Sequence, residues 1–431
     1  MKRCQRNLLA TSCIVLLVAL GATPAFTAGF AIYEQGAKAM GMAGAFTAQA
    51  DDPSAMFYNV GGIAFFEEQE FYAGISLISL GDSTFQGASP YPGPDATGEQ
   101  VDQIVTPPHF YWVRPINDKI VFGLGLNSPF GLVTEWDNPD DWSGRFLSEK
   151  AELINIDLNP NVGFRLSEKT GISVGVILRA AEVELKSRRA AINPQTQQPA
   201  EISKNTLTSD LDTGFGWNFG ILHKFNDRAS LGVNYRSKIT VEFGGEAEFE
   251  QVLTGDPIFD GAIDSVLPDQ PVSIGTEIQF PDQANLGFAY RFGEKWTAEW
   301  DIVWTGWSSF DTLNVDFDPA SGIDPLVRPQ GWDDSNTYRA GAQYILNGRS
   351  QIRFGLYFDE SPQPSYSVSP LLPDAERWGY SLGYGYTGNK VDVDAYVLYV
   401  AFDDRTTMDN LDGFYGTYST NVLILGASVG F

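Results

Sequence analysis

The chain has 431 residues, and its 28 Lys and Arg against 54 Asp and Glu give a formal net charge of −26. Nucleic-acid binders cluster Lys and Arg against phosphates, so this balance argues against a nucleic-acid partner. Apolar residues make up 43% of the chain and aromatic residues 13%, and there are 44 glycines. This composition excludes a disordered chain and a coiled coil.

The first 28 residues have the layout of a secretory signal peptide. Lys2, Arg3 and Arg6 precede the apolar run 14–20, and small residues follow at 21–25. The cleavage site is left open between the position after residue 25 and positions after residues 27 or 28. Both cysteines of the chain, Cys4 and Cys13, lie in this segment, so export leaves no disulfide framework. No later apolar stretch approaches the roughly 18–20 residues of a membrane-spanning helix.

Several segments of about nine residues alternate between apolar and polar or small side chains. They are 172–179, 286–292, 296–304, 378–386 and 391–399. This period predicts strands of the length that crosses a bilayer when tilted. A secreted soluble β-protein would alternate too, but here the second face is often Gly or Ser and the first is rich in Trp, Tyr and Phe. We therefore predict an all-β protein, a transmembrane antiparallel β-barrel spanning residues 67–431.

The two ends of the predicted barrel support this interpretation. The last segment places Leu423, Leu425 and the terminal Phe431 on one face, which resembles the recognition signal of the barrel-assembly machinery of outer membranes. Short turns at 115–118, 225–228, 293–295 and 388–390 alternate with long acidic or Pro-rich connections. We predict that the long connections are outer loops, and they lie at 84–106, 187–212, 245–280 and 312–334.

Residues 29–66 lack the alternation and are dominated by Gly and Ala. Side chains this small cannot form a core of their own. Because the segment precedes the predicted first strand at 68–80, we expect it to be a hatch that plugs the lumen.

The Gly-rich segment around Asp51 and Asp52 is followed along the chain by the blocks "NSPFGLVTEW" (127–136), "INIDLNPNVGFRL" (154–166), "FPDQANLGFAYRF" (280–292) and "FGLYFDESPQP" (354–364). In these features the chain resembles the FadL/TodX family of outer-membrane transporters for hydrophobic compounds. One departure lies in the hatch, where the family usually reads Asn-Pro-Ala and this chain reads Asn59, Val60, Gly61. The substitution removes a rigid Pro from that turn.

The resemblance implies a monomeric barrel of about fourteen strands in the outer membrane of a Gram-negative cell. A hydrophobic ligand is captured outside, enters an internal pocket and leaves sideways into the lipid through a kinked third strand, with no cofactor. The residues that match the family's ligand and gating positions are Phe30, Asn59, Asn127, Ser128, Pro129, Phe130, Gly131, Lys186, Arg188 and Arg328.

Elementary chemistry bears on these positions independently of the family. Pro129 has no N–H for a strand ladder and Gly131 relaxes the backbone, so an interrupted strand is expected, either as a gate or as an ordinary bulge. A fatty-acid carboxylate entering an apolar pocket needs a cation, which Arg328, Lys186 or Arg188 would supply. Each of the three is equally compatible with a solvated loop charge, and Phe30 with a packed core side chain.

The enzyme-like motifs of the chain lack the surrounding structure that catalysis requires. The GxSxG matches at 171–175 and 379–383 lie inside alternating strands without a following helix. His109 and His223 are too few for a metal site or a triad, and the acidic group Asp137, Asp140, Asp141 reads as outer loop. We therefore expect no enzyme and no metal. Three functions remain: a fatty-acid channel, a hydrocarbon channel, or a closed barrel acting at the cell surface as an adhesin.

Overall fold

A computed structural model describes residues 29–80 and 83–431, and the predicted signal peptide lies outside the described residues. Within these described residues there are three short α-helices, α1 (Ala37–Met40), α2 (Ala55–Tyr58) and α3 (Pro257–Asp264). Strands β1 to β13 are Glu70–Ser79, Thr84–Gly87, Thr97–Glu99, Ile104–Val105, Pro108–Asn117, Ile120–Asn127, Gly131–Glu135, Lys150–Arg165, Thr170–Ile192, Pro199–Ser209, Asp212–Lys224, Ala229–Arg236 and Ile239–Gln251. Strands β14 to β25 are Val272–Phe280, Gln283–Phe292, Trp296–Thr305, Thr312–Phe317, Leu326–Pro329, Ser335–Ile345, Ser350–Asp359, Arg377–Thr387, Asp392–Phe402, Arg405–Thr407, Gly416–Ser419 and Asn421–Gly430. Short 3-10 helices lie at Val60–Phe65, Ser143–Phe146, Trp307–Ser309, Pro319–Ser321 and Ser365–Ser367.

The strands form a closed antiparallel barrel, as predicted. Strand β1 pairs with β5 on one side and with the last strand, β25, on the other. Several barrel strands are interrupted and consist of two segments: β4 with β5, β6 with β7, β10 with β11, β12 with β13, β14 with β15, β16 with β17, and β18 with β19. With β1, β8, β9, β20, β21, β22 and β25 they make the fourteen barrel strands. Strands β2, β3, β23 and β24 form a separate small sheet.

The alternation that predicted the strands separates the outside of the barrel from its lumen. Along β21, Trp378, Tyr380, Leu382, Tyr384 and Tyr386 are exposed, whereas the intervening Gly and Ser residues are buried. At the chain end, Phe431 exchanges two backbone hydrogen bonds with Phe71 of β1, and the two rings stack 5.4 Å apart. The outward aromatic and aliphatic side chains form the apolar band that a bilayer requires.

The strands join through short turns at one end of the barrel and long connections at the other. This asymmetry is as predicted, but two predicted loops are largely strand. Strand β9 continues to Ile192 and β10 occupies 199–209, while β13 continues to Gln251 and β14 starts at Val272. The outer parts of β9 and β10 carry mostly polar side chains on both faces, so the period-2 hydrophobic signal disappears there although the backbone ladder continues. Strands β13 and β14 keep buried apolar side chains on their inward face, including Phe243, Ala247, Val272 and Ile278. The predicted loop at 312–334 likewise contains β17 and β18.

Residues 29–66 lie inside the barrel and are almost entirely buried. Their backbone packs directly on the wall, and a Cβ added to Gly232 or Gly355 would overlap the backbone of Thr47 or Met42. Glu299 and Asp301 point inward from β16 and accept hydrogen bonds from four successive hatch N–H groups, those of residues 46–49. Carboxylates of a barrel strand therefore accept hydrogen bonds from hatch N–H groups that have no backbone partner in a helix or sheet.

No helix within the described ranges, 29–80 and 83–431, has the length and apolar character needed to cross a membrane.

Candidate ligand-binding site

The third barrel strand is interrupted where the sequence predicted a kink. Strand β6 ends at Asn127 opposite Asp157, and β7 begins at Gly131 opposite Ile154, so this strand carries one more residue than its partner β8. The Asn155 side chain accepts the Phe130 N–H at 3.0 Å, and Asn127 donates to the Tyr111 hydroxyl at 3.1 Å. Side chains therefore stabilise the distorted backbone where the ladder cannot.

The first residues of the hatch bind to this break as a short added strand. The Gly131 N–H donates to the Phe30 carbonyl and the Ile32 N–H donates to the Pro129 carbonyl, both at 2.8 Å. Gln35 donates to the Ser128 carbonyl at 3.0 Å. Pro129 can only accept here, since it has no N–H. The hatch thus closes the break with backbone hydrogen bonds.

Phe30 lies in a cage of aromatic rings and is 3% exposed. Its ring centroid is 4.7 Å from Trp307, 5.3 Å from Phe310, 5.9 Å from Trp332, 6.0 Å from Phe130 and 6.1 Å from Phe280. Most of these pairs are tilted or edge-on, which is the favourable geometry for aromatic rings. Phe30 is therefore a packed core residue that also stands beside the break in the wall.

A buried cation that was not predicted from the sequence, Arg179, lies next to this cage. The Arg179 guanidinium lies 4.6 Å from the ring centroids of both Phe130 and Phe280. Asp157 binds it with two hydrogen bonds of 2.7 and 2.8 Å. Both side chains point inward from neighbouring strands, and the inward position of each was visible in the alternation. Their pairing depends on the register of β8 against β9.

A small apolar cavity of about 50 Å³ adjoins the cage. Its walls are Phe30, Leu132, Ala151, Glu152, Leu153, Val183, Leu185, Ile278, Phe310, Leu313, Gln330, Ser369, Leu371 and Leu372. Ligand pockets for drug-sized molecules occupy roughly 300–1,000 Å³. The cavity has the right chemistry for a hydrocarbon chain, but a long chain fits only after side chains around it move.

A second, larger cavity of about 320 Å³ lies at the outer end of the barrel, and we call it the outer groove. It combines apolar side chains, including Leu207, Phe249 and Phe317, with four cations. The cations are Lys186, Arg188, Arg189 and Arg328, so the structure brings all three sequence-predicted basic residues to one place. Leu185, Leu313 and Leu371 line both this groove and the small apolar cavity.

The cations of the outer groove differ in how firmly they are paired. Arg188 is buried and holds Glu149, Glu201 and Asp140, and Arg328 is bound through two nitrogens to Asp412. Lys186 pairs with Glu184 at 2.8 Å, but its side chain is 42% exposed. Lys186 and Arg188 both belong to β9. Arg188 had been predicted within the loop 187–212, and that placement was wrong because β9 extends to Ile192.

The start of the hatch is tied to an outer loop. The Gly29 N–H donates to Asp374 at 3.3 Å, and Ser361 donates to the other oxygen of the same carboxyl. Burial raises the pKa of Asp374 to about 6, although nearby Arg377 acts in the opposite direction. The carboxylate that anchors the hatch strand therefore carries a desolvation cost when it ionises.

Two sequence-predicted residues lie away from both cavities. The Asn59 side chain accepts the Gly61 N–H and donates to the carbonyls of Thr47 and Ile221. It caps the 3-10 helix and fastens it to the wall in a turn without Pro. Phe431 is at the outer surface of the closure between β1 and β25. The acidic group at 137–141 lies in the loop after β7, where Asp140 pairs with Arg188.

Comparison with known proteins gives a consistent result. Residues 18–431 match the family described as outer membrane protein transport protein (OMPP1/FadL/TodX). A long-chain fatty acid transport protein of Escherichia coli O6:H1 is 26% identical over 419 residues, which cover 91% of each chain. Outer membrane protein P1 of Haemophilus influenzae is 27% identical over 432 residues, covering 90% of this chain and 88% of the relative.

Solved structures share the fold. A FadL homologue of Pseudomonas aeruginosa superimposes with a TM-score of 0.80 at 22% identity, covering 94% of this chain and 99% of that one. The toluene transporter TodX of Pseudomonas putida superimposes with a TM-score of 0.69 at 15% identity, covering 92% and 97%.

Proposed function

The chain belongs to the FadL/TodX family of outer-membrane transport proteins, and from that premise we propose that it takes up long-chain fatty acids by passive diffusion and lateral exit. It is an outer-membrane β-barrel, and the family consists of transport channels and not of enzymes. The proposal concerns the ligand and the route. The observation that supports it most directly is the succession of the outer groove, the small apolar cavity and the break at Gly131, in that order.

Capture takes place in the outer groove. An amphipathic acid places its carboxylate among Lys186, Arg188, Arg189 and Arg328 and its chain against the leucines and phenylalanines. Charge-assisted hydrogen bonds hold the head. Lys186 and Arg189 are the accessible cations, whereas Arg328 must share or exchange its bond to Asp412. Burial of the chain supplies the rest, at about 0.8 kcal/mol per CH₂.

The chain then passes between Leu185, Leu313 and Leu371 into the apolar cavity, where Phe30 occupies the space that it needs. Entry requires the Phe30 ring to leave its cage. Because the Phe30 carbonyl and the Ile32 N–H hold the break at Pro129 and Gly131, the same movement opens the wall. The ligand follows its gradient into the lipid, so no energy source or cofactor is required. We also propose that the barrel is monomeric and that Phe431 serves as its assembly signal.

Two alternatives use the same architecture differently. An uncharged hydrocarbon fits the apolar cavity equally well, and a relative in fold is named a toluene transporter. The cations of the outer groove favour the fatty acid. A permanently closed barrel acting at the surface, for example as an adhesin, is favoured only by the small volume of the cavity.

The test is uptake of labelled oleate and labelled toluene by cells in which this protein is the sole barrel of its family. Gly131→Arg is the blocking variant because Gly131 is buried at the break. Gly261→Arg is the matched control, since Gly261 lies in α3 with open space around it. We expect oleate uptake to require the protein and to be lost in Gly131→Arg alone.

Toluene uptake without oleate uptake would reassign the protein to hydrocarbons. Independence of both from the protein would contradict transport and favour the surface role.

A further inference from the structure

The barrel wall contains a second break, between the eighth and ninth barrel strands. The pairing of β14 with β17 covers only Ile274–Thr276, and pairing resumes at Gln283 of β15 opposite Thr305 of β16. Along the eighth barrel strand, Gln283 lies seven positions after Thr276. Along the ninth, the partners of these two residues, Thr305 and Val315, lie ten positions apart. The three extra residues form an excursion that contains the 3-10 helix Trp307–Ser309. On its other side β14 stays paired with β13 throughout, so the gap is confined to one edge.

Outside this gap lies a cavity of about 810 Å³, which we call the wall cavity. Five carboxylates line it and a single lysine, Lys238, opposes them. The carboxylates are those of Glu242, Glu277, Asp282, Asp311 and Asp316. The formal charge is opposite in sign to that of the cations in the outer groove.

The wall cavity and the small apolar cavity lie back to back. On β14, Ile278 faces the inner cavity while Glu277 and Gln279 face the wall cavity. Leu313 likewise points inward between two outward neighbours. Phe310 lines both spaces, so its side chain is the partition between them. It is 9% exposed and its inner side packs on Phe30 at 5.3 Å.

Aromatic side chains of the kind that mark a membrane interface stand at one rim of the wall cavity. Trp304 lines it, and Asp282 accepts a hydrogen bond from the Tyr235 hydroxyl at 2.8 Å. Tyr235 packs on the half-exposed Trp217 at 5.2 Å. Trp and Tyr concentrate at the polar boundary of transmembrane barrels. A molecule in the wall cavity would therefore have its head group at the boundary and its chain directed at Phe310.

We propose that this break is a second lateral window, through which amphiphiles with a cationic head reach the inner cavity when Phe310 turns aside. The carboxylates attract a cationic head and repel a fatty-acid anion, because the cavity walls limit screening by water. The inner cavity then accepts the apolar chain. The inference extends the proposed function, since it assigns a second route with a different ligand class to the same inner cavity.

The experiment measures labelling of a single thiol inside the inner cavity. The chain has no Cys after residue 13, so Leu372→Cys provides one reactive site in the mature protein. Two reagents of equal length each carry a maleimide at the tail end of a dodecyl chain, and their heads are trimethylammonium or carboxylate. The protein is held in lipid nanodiscs, and its folding is checked by heat-modifiable migration on gels.

Removing the partition with Phe310→Ala should raise the labelling rate of the cationic reagent by about tenfold, since truncating a packed ring leaves a cavity. The anionic reagent should gain less than about twofold because the acidic lining opposes it. Thr312→Trp, which fills the wall cavity, should abolish the gain. Phe288→Ala removes an outward ring of the neighbouring eighth barrel strand and should change nothing. Phe310→Leu replaces Phe310→Ala if the latter does not fold.

Equal gains for both reagents that persist in Thr312→Trp would show a general loosening of the interior and overturn the window. An unchanged rate for the cationic reagent in a folded Phe310 variant would overturn it as well. Labelling does not depend on uptake of oleate or toluene. Failure of those uptake assays therefore contradicts the proposed function and leaves the window standing.

Discussion

The two breaks in the barrel wall are closed in different ways. At the third strand, a separate segment of chain closes the gap through the backbone, with Phe30 and Ile32 hydrogen-bonded to Pro129 and Gly131. Between the eighth and ninth strands, the excursion closes its own gap with two side chains, Trp307 and Phe310. A backbone closure opens only when a segment moves, whereas a side-chain closure opens by rotation of a ring. Phe30 contacts both closures, through its backbone at the first and through its ring at the second.

The approaches to the breaks also differ in charge. The outer groove beside the first presents four cations and one carboxylate, that of Asp324, and the wall cavity outside the second presents five carboxylates and one lysine. The two proposed routes into one apolar cavity thus differ in the head group that each favours.

The largest effect is expected from Phe30→Ala, which removes the side chain shared by both closures. Truncating a fully packed Phe costs about 3–5 kcal/mol. Local opening at the first break should therefore accelerate amide exchange of Gly131 and Ile32 by about two to three orders of magnitude. Phe292→Ala, at an exposed turn, is the control. Unchanged exchange in Phe30→Ala would show that this ring does not stabilise the first closure.

A pH effect should act on the first closure alone, through Asp374. Its pKa of about 6 lies above the usual value of a carboxyl, so the folded protein retains this proton between pH 4 and 6. The contribution of Asp374 to the free energy of unfolding is therefore greatest at low pH. It falls by about 2–3 kcal/mol as the pH rises to 6 and then levels off.

Asp374→Asn should remove that dependence. The measurement is amide exchange of residues 360–376 at pH 4.5 and 7, compared between wild type and variant. Asp333→Asn, an exposed neighbouring loop residue, should behave as wild type. An Asp374→Asn protein with the full wild-type pH dependence would refute the assignment.

Asn155→Ala should weaken the first closure by a smaller amount. It removes the acceptor of the Phe130 N–H, and a buried donor left without a partner costs about 1–3 kcal/mol. Exchange of the Phe130 amide should accelerate while that of Ser309 at the second break, measured in the same sample, stays constant. Equal acceleration at both sites would mean that the two breaks open as one unit.

The smallest effects concern charge. Lys186→Gln should weaken binding of a fluorescent fatty acid about two- to fivefold, since partly exposed ion pairs contribute under about 1 kcal/mol. Binding of a fluorescent alkylammonium should be unaffected. Glu277→Gln should show the reverse pattern. If each variant weakened the binding of both ligands, the outer groove and the wall cavity would not differ in the head group that they prefer.

The sequence predicted the barrel, its closing residue and the first break, because each leaves a local mark: a period of two, a terminal Phe, and a Pro followed by a Gly. The second break left none. Trp307 and Phe310 resemble ordinary strand residues, and the gap arises from a three-residue offset between distant segments. The outer groove was partly predictable. Three of its four cations were identified and Arg189 was not, and Asp412 and Glu201 reach these cations from loops or strands whose positions only the fold defines.

The hatch contacts the wall through strands from all around the barrel, including Gly232 of β12, Glu299 of β16 and Gly355 of β20. The ring closes where the chain's first and last strands meet. A segment held on every side cannot be threaded afterwards into a finished cylinder without breaking many contacts. Biogenesis therefore has an order: the hatch must already be in place, partly wrapped by the growing sheet, when β25 pairs with β1.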